Sequence, residues 1–119
     1  MRRDEFEKIV IEAIDDLPEE FSSALENLAI VVEEWPTAED LESTGVRHGT
    51  LLGLYRGVPK PERVHGSPLI PDKIVVFAGP ILTIYPRPDD ARKKIRDTIL
   101  HEIGHYFGMR EEQIRRAGK

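Results

Sequence analysis

With 119 residues the chain is long enough for one hydrophobic core and too short for two, so a single domain spanning 1–119 is expected. One third of the residues are charged and 39% are hydrophobic, a globular balance that excludes the low-hydrophobicity regime of disordered chains. The formal net charge of -5 argues against nucleic acid as a partner, because phosphate backbones are bound by basic surfaces, and the absence of cysteine removes disulfides and thiolate ligands, leaving nitrogen and oxygen to hold any metal.

The first residues carry Arg2 and Arg3 but run on into acidic, amphipathic sequence rather than an apolar signal core. No run approaches membrane-spanning length, so no membrane partner is expected and the cytoplasm is the default compartment. From Asp4 to Leu17 the residues Phe6, Ile9, Val10, Ala13, Ile14 and Leu17 fall at helical spacing, predicting an amphipathic helix that stops near Pro18. A second short helix is expected from Pro18 to about Glu26 or Asn27, with Glu19 and Glu20 at its positive end. Leu28 to Trp35 is rich in β-branched residues and closed by Pro36, which predicts a strand, with Trp35 expected in the core or at its edge.

Thr37 to His48 is polar and predicts a loop with a helical turn at Ala38 to Leu41. Thr50 to Arg56 predicts a second strand, Val58 to Pro71 a proline-rich surface excursion of the kind that walls clefts, and Lys73 to Ala78 a third strand ending at Gly79-Pro80. Ile81 to Tyr85 has no decisive period and is left open between helix and strand. Pro86-Arg87-Pro88-Asp89-Asp90 announces a long helix with Asp89 or Asp90 near its cap. It runs to about Phe107, where Ile95, Ile99, Ile103 and Phe107 form a stripe facing the sheet, beside Thr98 and Leu100. The basic run Arg92-Lys93-Lys94-Ile95-Arg96 is expected to be a solvated face of it. Gly108 sits where a left-handed helix end belongs, and a short closing helix from Met109 to Ala117 docks Ile114 inward.

That long helix carries the one stretch with evident chemistry, His101-Glu102-Ile103-Gly104-His105. Two histidines four residues apart rise about 6 Å along a helix axis and leave from the same face, so both imidazoles reach one ion. The acid between them projects about 100° away, beside a metal-bound water rather than on the metal, and its expected task is to take a proton from that water. Zinc would lower the pKa of its water from 15.7 to about 7 and polarise the carbonyl under attack. Catalytic zinc sites have three protein ligands and an open position, so a third donor is needed. The choices are His48, His65 or an acid, of which Glu111 lies ten residues after His101 and just beyond the Gly108 turn; its bland alternative is a helix-capping acid. Tyr55, Tyr85 and Tyr106 are candidate oxyanion donors, with nothing to select among them.

His101-Glu102-Ile103-Gly104-His105-Tyr106-Phe107-Gly108-Met109-Arg110-Glu111 resembles the extended motif of the metzincins, in which the eleventh residue is the third metal ligand. Here that residue is Glu111 in place of histidine, and no Met-turn follows. The stretch is more similar to the minimal zincin-like metallopeptidases, a family of small bacterial proteins of about this length with the motif near the C-terminus and an acidic eleventh residue. The resemblance also takes in Leu51-Leu52-Gly53-Leu54-Tyr55-Arg56-Gly57-Val58-Pro59, Pro71-Asp72-Lys73-Ile74 and Phe77-Ala78-Gly79-Pro80. It implies an α+β fold, a short mixed β-sheet packed against N-terminal helices and the motif helix. It also implies Zn2+ held by His101, His105 and Glu111, with Glu102 as general base. The peptide or protein substrate would then lie along an edge strand, either Leu51 to Arg56 or Lys73 to Ala78.

Two competing expectations stand beside zinc-dependent peptide hydrolysis. The small size leaves little chain for specificity pockets, which motivates a catalytically weak or inactive zincin-like frame acting as a metal- or partner-binding module. A purely structural domain, or a closed structural metal site, would need His48 or His65 beside the histidine pair. Oligomeric state is not legible from the sequence.

Overall fold

The first helix, α1 (Arg3–Asp15), buries Phe6, Ile9, Val10 and Ala13 on one face and carries Asp4 and Glu5 in its first turn, at the positive end of the helix dipole. The computed structural model describes residues 1–22, 28–45, 51–56, 72–109, 112–113 and 116. A single turn, α2 (Glu19–Ser22), follows Pro18 and buries Phe21; its predicted continuation to Glu26 or Asn27 lies outside the described residues.

Three strands form one mixed sheet: β1 (Leu28–Glu33), β2 (Gly53–Arg56) and β3 (Asp72–Phe77), in the order β1-β3-β2. β3 is central because it is apolar without alternation: Ile74, Val75, Val76 and Phe77 are all fully buried, as a strand covered on both faces requires. It pairs parallel with β1, Ile30 opposite Ile74, and antiparallel with β2, Leu54 opposite Val75. Of the two strands expected to border a cleft, the one at Lys73 to Ala78 is therefore interior, and β2 is at the sheet's edge among the described residues.

Between β1 and β2, the segment expected as a loop with one helical turn is a full helix, α3 (Ala38–Thr44). Its start is fixed by a capping box: the Asp40 amide donates to Thr37 Oγ1 at 3.1 Å and the Thr37 amide to Asp40 Oδ2 at 2.9 Å, while Gly45 ends it at φ 75°. The undecided stretch after β3 is also helical, α4 (Ala78–Ile84), entered directly from the strand with Pro80 in the first turn, where its missing N–H leaves no bond unmade. Gly79 makes this tight passage possible, since its amide donates to the Glu34 carbonyl at 2.8 Å and a Cβ there would collide with the Trp35 ring. Trp35, expected in or at the core, lies over that glycine with 55% of its surface exposed. β1 has ended by then, at Glu33, because the chain bends at Glu34 and Trp35.

The last long helix, α5 (Pro88–Tyr106), has Arg87 as cap, Pro88 in its first turn and Asp89 and Asp90 behind it. Ile95, Ile99 and Ile103 are fully buried, and the stripe is shared between α1 on one side and β2 and β3 on the other rather than given to the sheet alone. Phe107 is half-buried with its ring 5.8 Å from that of Phe21. The basic run is only partly a solvated face: Arg92 pairs with Glu12 of α1, and Lys94 Nζ lies 5.6 Å from the centre of the Tyr85 ring. The fold is α+β, a three-stranded mixed sheet with α1 and α5 as the helical layer. Among the described residues no helix is long and apolar enough to cross a membrane.

Candidate active site

α5 presents the motif at its C-terminal end, where a dipole favours cationic or metal-ligating histidine over acid. His101 and His105 leave the same face, as their spacing required, with ring centroids 4.6 Å apart and an interplanar angle of 71°. Both are half-buried, whereas Glu102 retains only 8% of its surface. An enclosed acid between two accessible imidazoles suits a group that handles protons at a site which solvent and substrate enter.

Contacts to β2 and to His105 hold the Glu102 carboxylate. Its Oε1 accepts from the Tyr55 backbone N–H of β2 at 3.0 Å and lies 3.2 Å from His105 Nδ1. A carboxylate beside Nδ1 favours the tautomer with its proton there, which turns the Nε2 lone pair outward to a metal.

The donor set fits a zinc ion. One atom each from His101, Glu102 and His105 lie within 4.8 Å of one another. Tetrahedral zinc with bonds of about 2.0–2.1 Å places two ligand atoms roughly 3.4 Å apart, a separation below that 4.8 Å bound. The third ligand expected at Glu111 lies outside the described residues, and so do His48 and His65. What is described is the turn that leads to Glu111. Gly108 at φ 69° sends its N–H to the His105 carbonyl at 2.9 Å, and the Met109 amide bonds the Gly104 carbonyl at 2.9 Å, the paired bonds of a Schellman end. The predicted closing helix is helical at 112–113 and 116; Ile114 lies outside the described residues.

A pocket of about 280 Å³ opens beside His101 and Glu102, floored by Leu52 and Gly53 of the β2 side and by Lys94, Asp97 and Thr98 one and two turns earlier on α5. Of the three tyrosines, Tyr106 is buried and meets Tyr55 edge-on at 5.9 Å, while Tyr85 sits below Lys94.

β2 is fastened at its far end by charge. Arg56 reaches Asp40 with 2.8 Å bonds to both carboxylate oxygens and Glu33 at 3.1 and 3.3 Å, tying β2 to α3 and β1. Burial acts to raise the Asp40 pKa, yet the Thr37 amide, the Arg56 guanidinium and the Thr37 hydroxyl outweigh it and hold that carboxyl below its ordinary value. Glu33 first, then Asp40, holds Arg56 above its own.

Sequence reasoning missed the parts that β2 contributes. A Cβ on Gly53 would overlap Thr98 Cγ2 and lie 3.5 Å from Glu102 Cγ, so strand and helix approach more closely there than any side chain permits. A glycine inside an apolar strand run was the available signal. The Tyr55 amide gave none, because a backbone donor has no residue type.

Comparison with known proteins adds to this geometry. The family model described as zincin-like metallopeptidase matches residues 25–119, a span that contains all three strands and α5 with His101, Glu102 and His105. A solved structure, a conserved hypothetical protein from Thermus thermophilus, is similar with a TM-score of 0.60 at 21% identity, covering 90% of this chain and 94% of that one, a likeness of fold. No protein of curated function matches the sequence.

Proposed function

The chain belongs to the zincin-like metallopeptidase family, and from that premise we propose that it hydrolyses peptide bonds with a zinc ion held by His101, His105 and Glu111 and with Glu102 as general base. The observation that carries this reading is the enclosed Glu102 carboxylate, set against His105 Nδ1 and within 4.8 Å of both imidazole donors at the mouth of a pocket. When bound, zinc supplies Lewis-acid polarisation of the scissile carbonyl and lowers the pKa of water towards 7. His101 and His105 orient that ion from one helical face. Glu102 takes the proton of the attacking water and passes it to the leaving amine, a role worth about 10²- to 10⁴-fold in rate. With Oε1 held by the Tyr55 amide, the proton falls to Oε2. The peptide enters alongside β2, at the sheet's edge and next to the pocket.

A second reading, a zincin-like frame that binds metal or a partner without efficient turnover, is favoured by one observation: the Glu102 oxygen nearest His105 is already engaged by a backbone amide. Purified metal-replete protein decides between them. Hydrolysis of a mixed peptide library that stops on chelation and returns with zinc, together with a Glu102→Gln variant that keeps its zinc and loses cleavage, is the result expected of the peptidase. A zinc-loaded Glu102→Gln variant as active as the parent overturns the role of Glu102, and full zinc occupancy with no cleavage of any peptide leaves the binding module.

A further inference from the structure

We propose that Gly53 and Thr98 are positioning residues whose direct contact sets β2 at the distance from α5 at which the Tyr55 amide holds the Glu102 carboxylate. The inference rests on the reading of Glu102 as general base only for its consequence in catalysis; the contact and the hydrogen bond stand without it.

The two elements run in matched steps. From Gly53 to Tyr55 the strand advances two residues, about 6.6 Å, and from Thr98 to Glu102 the helix advances four, about 6 Å. Gly53 therefore faces Thr98 while the Tyr55 amide faces Glu102, a bond of 3.0 Å. Any side chain at Gly53 breaks this match. Its Cβ would come inside 3.0 Å of Thr98 Cγ2 and would lie only 3.2 Å from the Val75 carbonyl oxygen of β3, so there is no room for it between strand and helix. Nor does Thr98 give way easily, being 7% exposed and β-branched, with its χ1 restricted by the helix. The strand has to lift from the helix. A lift of more than about half an ångström takes the Tyr55 N to Glu102 Oε1 distance beyond about 3.5 Å, where it no longer counts as a bond. Gly53 lies in an extended strand, so alanine there suffers crowding alone and no backbone penalty.

Because the severe overlap is with one methyl group, most of the crowding is removable from the helix side, and only the 3.2 Å approach to Val75 O remains. Thr98→Ser deletes Cγ2 and keeps the hydroxyl. The test uses the full chain as Gly53→Ala, Thr98→Ser and the double variant, each zinc-loaded, with two readouts. The first is the Tyr55 amide itself, followed by its proton chemical shift and hydrogen exchange. A charge-assisted bond in the parent gives a downfield, protected amide; Gly53→Ala should move it upfield and raise its exchange about tenfold or more, and the double variant should restore both. The second is peptide hydrolysis, in which Gly53→Ala lowers kcat about ten- to a hundredfold with KM and zinc content little changed, and Thr98→Ser added to it recovers most of the loss.

If Gly53→Ala does not fold, a folded double variant with a parental Tyr55 amide supports the contact, and a double variant that also fails to fold refutes it. An unaltered Tyr55 amide in folded Gly53→Ala, or a double variant no better than the single, overturns the proposal. Absence of hydrolysis in the parent and every variant defeats the peptidase reading, while the amide measurements still decide the role of Gly53 and Thr98.

Discussion

Replacing Asp40 by asparagine probes the anchor at the far end of β2 and carries a pH signature. The parent carboxylate accepts from the Thr37 amide, completing the capping box of α3, and from Arg56 with both oxygens. Asparagine keeps the volume and one acceptor oxygen, which in the place of Oδ2 still reaches both the Thr37 amide and Arg56, but its NH₂ group in the place of Oδ1 opposes the Arg56 guanidinium and the negative charge is gone. Weakening of the cap by loss of the charge costs up to about 1 kcal/mol. A lost hydrogen bond to a charged group costs about 1.5–3 kcal/mol when buried, and less here because Arg56 is 34% exposed and retains Glu33. The sum is about 1–2 kcal/mol, or roughly 4–8 °C in Tm for a chain of this size. Asp40 has its pKa lowered in the folded protein, so it contributes stability that is fully present above its unfolded value near 3.8 and is lost as pH falls through the folded value. The parent should therefore exceed Asp40→Asn by a constant margin from about pH 7 to about 4.5 in urea denaturation. Below pH 3.8 the margin should shrink towards zero, since a protonated aspartic acid and asparagine are nearly isosteric. A margin absent at neutral pH, or one that survives undiminished once the carboxyl is protonated, refutes this account of the cluster.

Zinc at about a hundred times its dissociation constant should stabilise the parent by about 2.7 kcal/mol, and the same titration should leave the Tm of His101→Ala and His105→Ala almost unmoved, as followed by circular dichroism. Gly108→Ala places a Cβ at φ 69° and should cost about 1–2 kcal/mol in denaturant melts, while weakening zinc binding if the turn serves to bring Glu111 back to the histidines. Gly79→Ala should push the Trp35 ring off the start of α4, lowering stability by about 1–3 kcal/mol and shifting the fluorescence of this sole tryptophan to the red.

What the sequence disclosed follows the range of the forces involved. The motif helix was legible because its proline start, its four-residue stripe of isoleucines and its Gly108 terminus are all local, although its cap is Arg87 rather than Asp89 or Asp90, and the histidine pair came with it as a matter of helical period. The sheet's strands were legible from composition, although β2 is shorter than the run expected for it, but their order was not: nothing local tells that β3 is interior and β2 an edge among the described residues, since that depends on which faces find cover. α3 was underestimated although Thr37 and Asp40 spell a capping box, because its polar composition outweighed the cap signal. α4 is undecidable locally because five apolar residues fit either period, and the decision comes from Gly79 meeting Trp35 and the Glu34 carbonyl. At the site, His101, Glu102 and His105 were found by residue type. The hold on Glu102 was not, for it comes from a main-chain amide 47 residues earlier in the chain and from a glycine whose function is to have no side chain.

The strand order also fixes a sequence of events. Among the described residues no ladder joins β1 to β2, which meet through the Arg56–Glu33 ion pair, and both ladders wait for β3, which follows them in the chain. The ladders between the described strands therefore form through contacts distant in sequence, the slow kind to form. The histidine pair needs only one turn of α5. The pairing of the imidazoles is thus a property of local sequence, whereas the Tyr55 amide that fixes the carboxylate between them comes from 47 residues away, so the reactive geometry is complete only when the sheet is.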